Sequence, residues 1–307
     1  MAARRFSRRT RRNLLTGLLF ISPWIAGFLA FTAYPMIASA LISLYDYRLL
    51  QGFAGSTFVG LDNYAQLLRD ADFRISLLNT LYMVAVAVPL SLVCSFLCAV
   101  ILNFKIPGRG IWRTIYYLPS IVPSVAATFL FLFLLNPEIG LLNNVLKLIG
   151  IQGPNWVRDP YWSKPALILL GLWGIGGSVI IYLAGLNDIP ASLYEAAQLD
   201  GANAWQRLIY VTIPMMTPLI LYNLIIGVIA VFQYFGPAYL WAKNGQGGAV
   251  GAPLKSTLFY SLYLFQNAIE RLKMGYAAAM AWVLFVIILV CTAVLLKTSG
   301  RWTNYDT

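Results

Sequence analysis

The chain has 307 residues, 60% of them hydrophobic and 11% charged, with a mean hydropathy of +0.72; soluble domains average about 45–50% apolar and about 25% charged. A water-soluble fold has no place to hide that much apolar surface, whereas a bilayer takes it up in spans of roughly 20 residues. The net charge of +11 points to membrane orientation and headgroup contact, not nucleic acid, and the absence of histidine removes the commonest general base and the commonest metal ligand.

Arg4, Arg5, Arg8, Arg9, Arg11 and Arg12 crowd the amino terminus, where positive charge holds a segment in the cytoplasm. The apolar run that follows, Leu14–Tyr45, is longer than a vertical span needs, so a tilt or a kink at Pro23 or Pro35 is expected. Thr10-Arg11-Arg12-Asn13-Leu14-Leu15 looks like an export motif and Ala38-Ser39-Ala40 like a cleavage site. That reading fails, because the run exceeds the core of a signal peptide and further spans follow.

Five more uncharged runs are expected to cross the membrane: Ile75–Asn103, Thr114–Leu135, Pro165–Asn187, Met215–Ala242 and Met274–Leu296. Cys94 and Cys98 share a helix face but lack a third ligand, so they read as packing residues. Lys243 to Pro253, rich in glycine, reads as an external loop. An even number of spans returns the carboxyl terminus to the side of the amino terminus. Lys105, Arg109, Arg113, Arg207, Lys297 and Arg301 then join the tail inside, while Arg48, Arg69, Arg74, Lys147, Arg158, Lys164, Lys243, Lys255, Arg271 and Lys273 fall outside. Topology therefore rests mostly on the first helix.

The stretch between the fourth and fifth runs, Ile189-Pro190-Ala191-Ser192-Leu193-Tyr194-Glu195-Ala196-Ala197-Gln198-Leu199-Asp200-Gly201, is too polar and too short to span. Ser192 with Glu195 three residues on has the form of a capping box, and Gly201 is placed to end a short helix in the left-handed conformation. A second short helix is expected from about Asn203 to Val211, with Trp205, Leu208 and Ile209 on one apolar face. Pro214 then leads back into the membrane. The alternative for each residue is purely local: Glu195 as a cap, Ala196 and Ala197 as helix formers, Gly201 as a C-cap.

Glu195-Ala196-Ala197, three residues, Gly201, nine residues and Val211-Thr212-Ile213-Pro214 closely resembles the EAA loop of binding-protein-dependent ABC importer permeases, with Val211 where isoleucine is usual. Phe58-Val59-Gly60-Leu61-Asp62-Asn63-Tyr64, Gly108-Arg109-Gly110 with Arg113, Leu118 and Pro119, Asn136-Pro137, Gly140-Leu141-Leu142-Asn143 and Phe232-Gln233 with Phe235 resemble the sugar-permease branch. Ala242-Lys243-Asn244-Gly245 departs from the Thr-Gly-Gly-Gly-Pro turn frequent there. The resemblance implies an all-α integral membrane protein of the MetI-like type I importer fold, with about six transmembrane helices. Residues 1–13 would be a cytoplasmic tail, 14–297 the permease domain with its coupling loop at 188–214, and 298–307 a second cytoplasmic tail.

By the same resemblance, Glu195, Ala196, Ala197, Asp200 and Gly201 form the surface that docks on an ATPase. The implied partners are two ATPase subunits, a second homologous permease in a heterodimer, an extracytoplasmic solute-binding protein and the lipid bilayer of the inner membrane. No G-x-x-x-x-G-K-[ST] loop occurs in the chain, so no cofactor is expected in it and ATP and Mg belong to the partner ATPases. The uncharged spans suit a neutral, hydroxylated cargo, a carbohydrate. Candidate contacts are Trp173 and Ser178 on the fourth span and Asn223, Gln233 and Tyr234 on the fifth, since rings stack on sugar faces and amides bond hydroxyls. The plainer alternative is that Ser and Gln bond between helices and that Trp and Tyr sit at headgroups. An ion-coupled secondary carrier is the competing function, yet such carriers place ionisable groups or broken polar helices within the membrane, and these runs carry no charge.

Overall fold

The computed structural model describes residues 8–50, 52, 55–104, 107–245 and 250–303. Arg4, Arg5 and Lys105, residues 246–249 of the expected external loop and the end of the chain from 304 on lie outside the described residues. Two compact units divide the chain, one formed by Met1–Gln66 with Asn267–Trp282, the other by Leu67–Gln266 with Val283–Thr307.

In the first unit, α1 (Arg8–Phe28) runs through a π-helical turn (Leu29–Ala33) into α2 (Tyr34–Ile42). The irregularity falls at Pro35, not at Pro23, which lies inside α1. Proline lacks an N–H and crowds the preceding turn, and the ladder widens just before it, with Tyr34 N–H reaching Leu29 O. β1 (Tyr45–Asp46) pairs antiparallel with β2 (Thr57–Phe58). The Asn63 amide clasps this hairpin by donating to Ser43 O at 2.8 Å and Tyr45 O at 3.0 Å, and Tyr64 OH meets Ser43 Oγ at 2.8 Å. The Phe58–Tyr64 motif is therefore a structural lock. Gly275 starts α15 (Met274–Ser299) with its N–H on Tyr47 O at 3.1 Å, and a Cβ there would collide with Tyr45 O.

The second unit is arranged around α4 (Ala71–Asn103), whose first turn is capped by Asp70 Oδ1 accepting from Asp72 N at 2.8 Å and Phe73 N at 3.3 Å. Just before it stands α3 (Asp62–Arg69). α5 (Arg109–Ile121) and α6 (Ser124–Leu134) are bent by 99°. The run expected to span over Thr114–Leu135 is bent within its length, because Val122 precedes Pro123 and is forced into extended backbone, at φ −67° and ψ 129°. After α7 (Leu141–Leu148), α8 (Ser163–Trp173) and α9 (Gly176–Asp188) meet at 47° across Gly174. The chain continues through α10 (Ala191–Leu199), α11 (Ala204–Arg207), α12 (Ile213–Phe232), α13 (Gly236–Gly245) and α14 (Tyr260–Phe265). Among the described residues four helices are long and apolar enough to cross a membrane, or six if each bent pair is one span.

α4 packs against α8, α9, α12 and α14. Small residues permit the close approaches: a Cβ at Gly185 would strike Leu219 and Met216, and one at Gly227 would press on Val88. One apolar cluster joins Phe96, Ala99 and Leu102 to Val179, Tyr182, Leu183, Leu186 and Met216; the other gathers Met83, Phe131, Leu135, Leu167, Trp241, Phe259 and Leu262. The Asn136–Asn143 motif is also architectural. Asn136 Oδ1 accepts from Glu138 N at 2.9 Å, while Asn143 donates to Pro154 O at 3.2 Å and accepts from Trp156 Nε1 at 2.8 Å.

Candidate functional site

At the end of the second unit where α4 and α9 finish, α10 projects as a short helix with most of its side chains in solvent. Its start corrects the sequence expectation. Pro190, at φ −58° and ψ 130°, is the N-cap, the first helical residue is Ala191, and no side chain caps the end. Ser192 is already inside the first turn, where its hydroxyl no longer faces the free N–H groups as an N-cap side chain does. The capping box is absent, and the exposed carboxylate of Glu195 has no hydrogen bond or ion pair among the described residues. A true capping box sits one turn of chain later: Asn203 Oδ1 accepts from Gln206 N at 2.9 Å and Gln206 Oε1 accepts from Asn203 N at 2.7 Å.

The exit of α10 matches expectation. Gly201 has φ +81°, Gly201 N–H donates to Gln198 O at 3.0 Å and Ala202 N–H donates to Ala197 O at 2.9 Å, the two bonds of a Schellman cap. The expected free-standing second helix is corrected as well. α11 passes through a π turn (Leu208–Thr212) straight into α12, making one helical stretch from Ala204 to Phe232. Pro214 lies in the first turn of α12, where a missing N–H is tolerated because the π turn has already shifted the ladder. The apolar face of Trp205, Leu208 and Ile209 is only partly covered, with Trp205 71% exposed and Leu208 against the bundle.

One side chain ties α10 to the fifth span. Tyr194 packs on the Phe96–Met216 cluster and its OH lies 3.0 Å from Thr212 Oγ1, which itself donates to Arg207 O at 3.3 Å. Thr212 is then left to accept from Tyr194. This bond and the short Gly201 turn join α10 to the helix that begins at Ala204. Glu195, Ala196 and Asp200 face solvent, Gly201 is open and Ala197 is half-buried. No sequence signal marked Tyr194; Asn203 and Gln206 carried the capping pattern but were read as helix alone.

The candidate cargo residues do not form one cluster. Trp173 ends α8 against Phe131, with ring centroids 5.6 Å apart, and Tyr234 packs into the same apolar cluster, edge-to-face with Phe259 at 5.7 Å between ring centroids. The Tyr234 hydroxyl is buried without a hydrogen-bond partner among the described residues. Gln233 is exposed beside it at the interruption between α12 and α13. Ser178 is half-buried on α9, and the buried Asn223 gives its amide N–H to Leu219 O of its own helix at 3.0 Å. Trp173, Gln233 and Tyr234 therefore lie around helix breaks, while Ser178 and Asn223 lie within helices.

Residues 91–301 match the family described as binding-protein-dependent transport system inner membrane component. The probable ABC transporter permease protein YesP of Bacillus subtilis is 44% identical, over 98% of this chain and 95% of that protein. The lactose transport system permease protein LacF of Rhizobium radiobacter is 34% identical, over 90% of this chain and 91% of that protein. A solved bacterial transporter of the acidic polysaccharide alginate, in complex with an alginate pentasaccharide-bound periplasmic protein, superposes with a TM-score of 0.80 at 25% identity, covering 96% of both chains.

Proposed function

This chain belongs to the family of binding-protein-dependent transport system inner membrane components, and on that footing we propose that it is the permease subunit for a neutral carbohydrate, with α10 as the part that receives work from a partner ATPase. The observation that carries the coupling role is the free, exposed carboxylate of Glu195 on a rigidly ended helix joined to the fifth span through Tyr194 and Thr212. A carboxylate used as a cap would be satisfied within its own helix; this one is presented outward. Ala196 and Ala197 beside it let another surface approach closely.

In this reading the termini and α10 face the cytoplasm, two ATPases bind ATP and Mg, and a second, homologous permease completes the pathway. A solute-binding protein delivers the cargo outside, as the periplasmic protein in the alginate complex suggests. Lactose in the relative's name supports a neutral sugar, as do uncharged spans with Gln233 and Tyr234 at a helix break. Alginate shows that charge is a variable within the fold.

Uptake into vesicles carrying the full assembly, loaded with ATP, tests this. Import that persists with a proton ionophore and stops without internal ATP is expected. Import that follows the ion gradient and ignores ATP overturns the reading in favour of a secondary carrier. In the same vesicles Gln233→Ala and Tyr234→Ala should impair uptake while basal ATP hydrolysis persists; unchanged kinetics across sugar concentrations removes both from the cargo path.

A further inference from the structure

Beside α10 lies a groove of about 520 Å³ whose walls come from the last turns of α4 (Leu97, Ile101, Phe104), the end of α9 (Leu186) and the segment Ala204–Leu208. That volume is in the range of sites that enclose small ligands. Three membrane-length elements end or begin around it, which puts it at the level where acyl chains give way to headgroups. Among the described residues that line it, Arg207 is the one with a formal charge, and its Nε is buried with no hydrogen-bond partner among them. Trp205, an indole at the same rim, is 71% exposed, as suits a membrane interface.

An apolar slot with a partly exposed guanidinium at its edge, its Nε unpaired among the described residues, has a definite complement. We propose that this groove holds one acyl chain of an anionic phospholipid, with the lipid phosphate on Arg207. A planar guanidinium matches phosphate oxygens, and the apolar walls accept an acyl chain as the bilayer interior does. A zwitterionic lipid offers the same chain, but its cationic headgroup opposes Arg207. Tyr194 and Thr212 also line the groove, so the lipid stiffens the joint between α10 and the fifth span. Only that consequence rests on the coupling role proposed above; the binding itself does not.

The test uses the full assembly in nanodiscs and phosphatidylglycerol bearing a photoreactive acyl chain. Cross-links should map to peptides containing Leu97–Phe104 and Ala204–Leu208. Unlabelled phosphatidylglycerol should compete at least about ten-fold better than phosphatidylcholine, and Arg207→Gln should weaken capture about ten-fold. Equal competition by the two lipids, labelling confined to other helices, or full capture by Arg207→Gln overturns the site. If Arg207→Gln fails to insert, the competition on the native protein still decides. Displacement by millimolar inorganic phosphate without loss of chain labelling elsewhere would mark a bare anion site and likewise overturn it. Lipid capture that persists where Glu195→Ala transports normally separates the two ideas, since the coupling role then fails and the lipid site stands.

Discussion

Two turns at different places on α4 show opposite ways of holding chain outside a helix bundle. The segment from Ala252 to Tyr263 is knitted to the first turns of α4. Asn79 Nδ2 donates to Lys255 O at 2.8 Å and Leu258 O at 3.0 Å, Tyr260 N donates to Thr80 Oγ1 at 2.9 Å, and Tyr263 OH donates to Asp70 Oδ2 at 2.5 Å. Ser163 and Ser256 hydroxyls meet at 2.8 Å, and Thr257, Phe259, Tyr260 and Leu262 are buried. α10, near the last turns of α4, is held to the bundle by the Tyr194 ring and its bond to Thr212, and leaves Leu199 90% exposed. The first turn anchors its backbone carbonyls and hydroxyls on the bundle, with Leu254 at its tip left 88% exposed. The second keeps the Glu195 carboxylate without a partner among the described residues and leaves Leu199 uncovered, the condition that the proposed docking role requires.

Breaking the anchored turn should have the largest effect on stability. Asn79→Leu removes one buried and one part-buried hydrogen bond and leaves the Leu258 and Lys255 carbonyls short of donors, costing about 2–4 kcal/mol. A clear fall in the thermal unfolding midpoint in detergent is expected; an unchanged midpoint means the loop is held by packing alone.

Glu195→Ala sharpens the contrast from the other side. Its carboxylate has no partner within the described chain, so unfolding temperature should stay the same while uptake falls at least about ten-fold through loss of a charged contact to the ATPase. Normal uptake at normal expression refutes the docking role. Tyr194→Phe is intermediate, because it keeps the ring on its cluster and deletes one hydrogen bond worth about 1 kcal/mol. ATP hydrolysis per sugar imported should rise a few-fold as the α10 joint loosens, and tight coupling in this variant would show that the ring alone transmits the motion.

The smallest effect is expected at Lys255, whose ion pair with Asp72 spans 2.5 Å but has side chains 52% and 25% exposed. Lys255→Met should cost about 1 kcal/mol or less, and less still in high salt. A larger loss in a salt series would mean that this pair, and not Asn79, anchors the loop.

The membrane character of this chain, its runs of spanning length and the Gly201 helix end were legible in the amino-acid order. They depend on local facts: apolar length against bilayer thickness, and the freedom of glycine at φ +81°. The expected cap at Ser192 failed because Pro190 set the start of α10 two residues early, and the separate second helix failed because a π turn absorbed Pro214. A single sequence weighs propensities and does not reveal which of two adjacent starts the packing of Ile189 and Tyr194 on α4 and α9 will favour. The 99° bend after Ile121 follows locally from Pro123, whereas the tether from Tyr194 to Thr212 and the groove around Arg207 join residues from different helices. Only the tertiary structure decided these, because each arises from helices meeting in space and none from a periodicity within one helix.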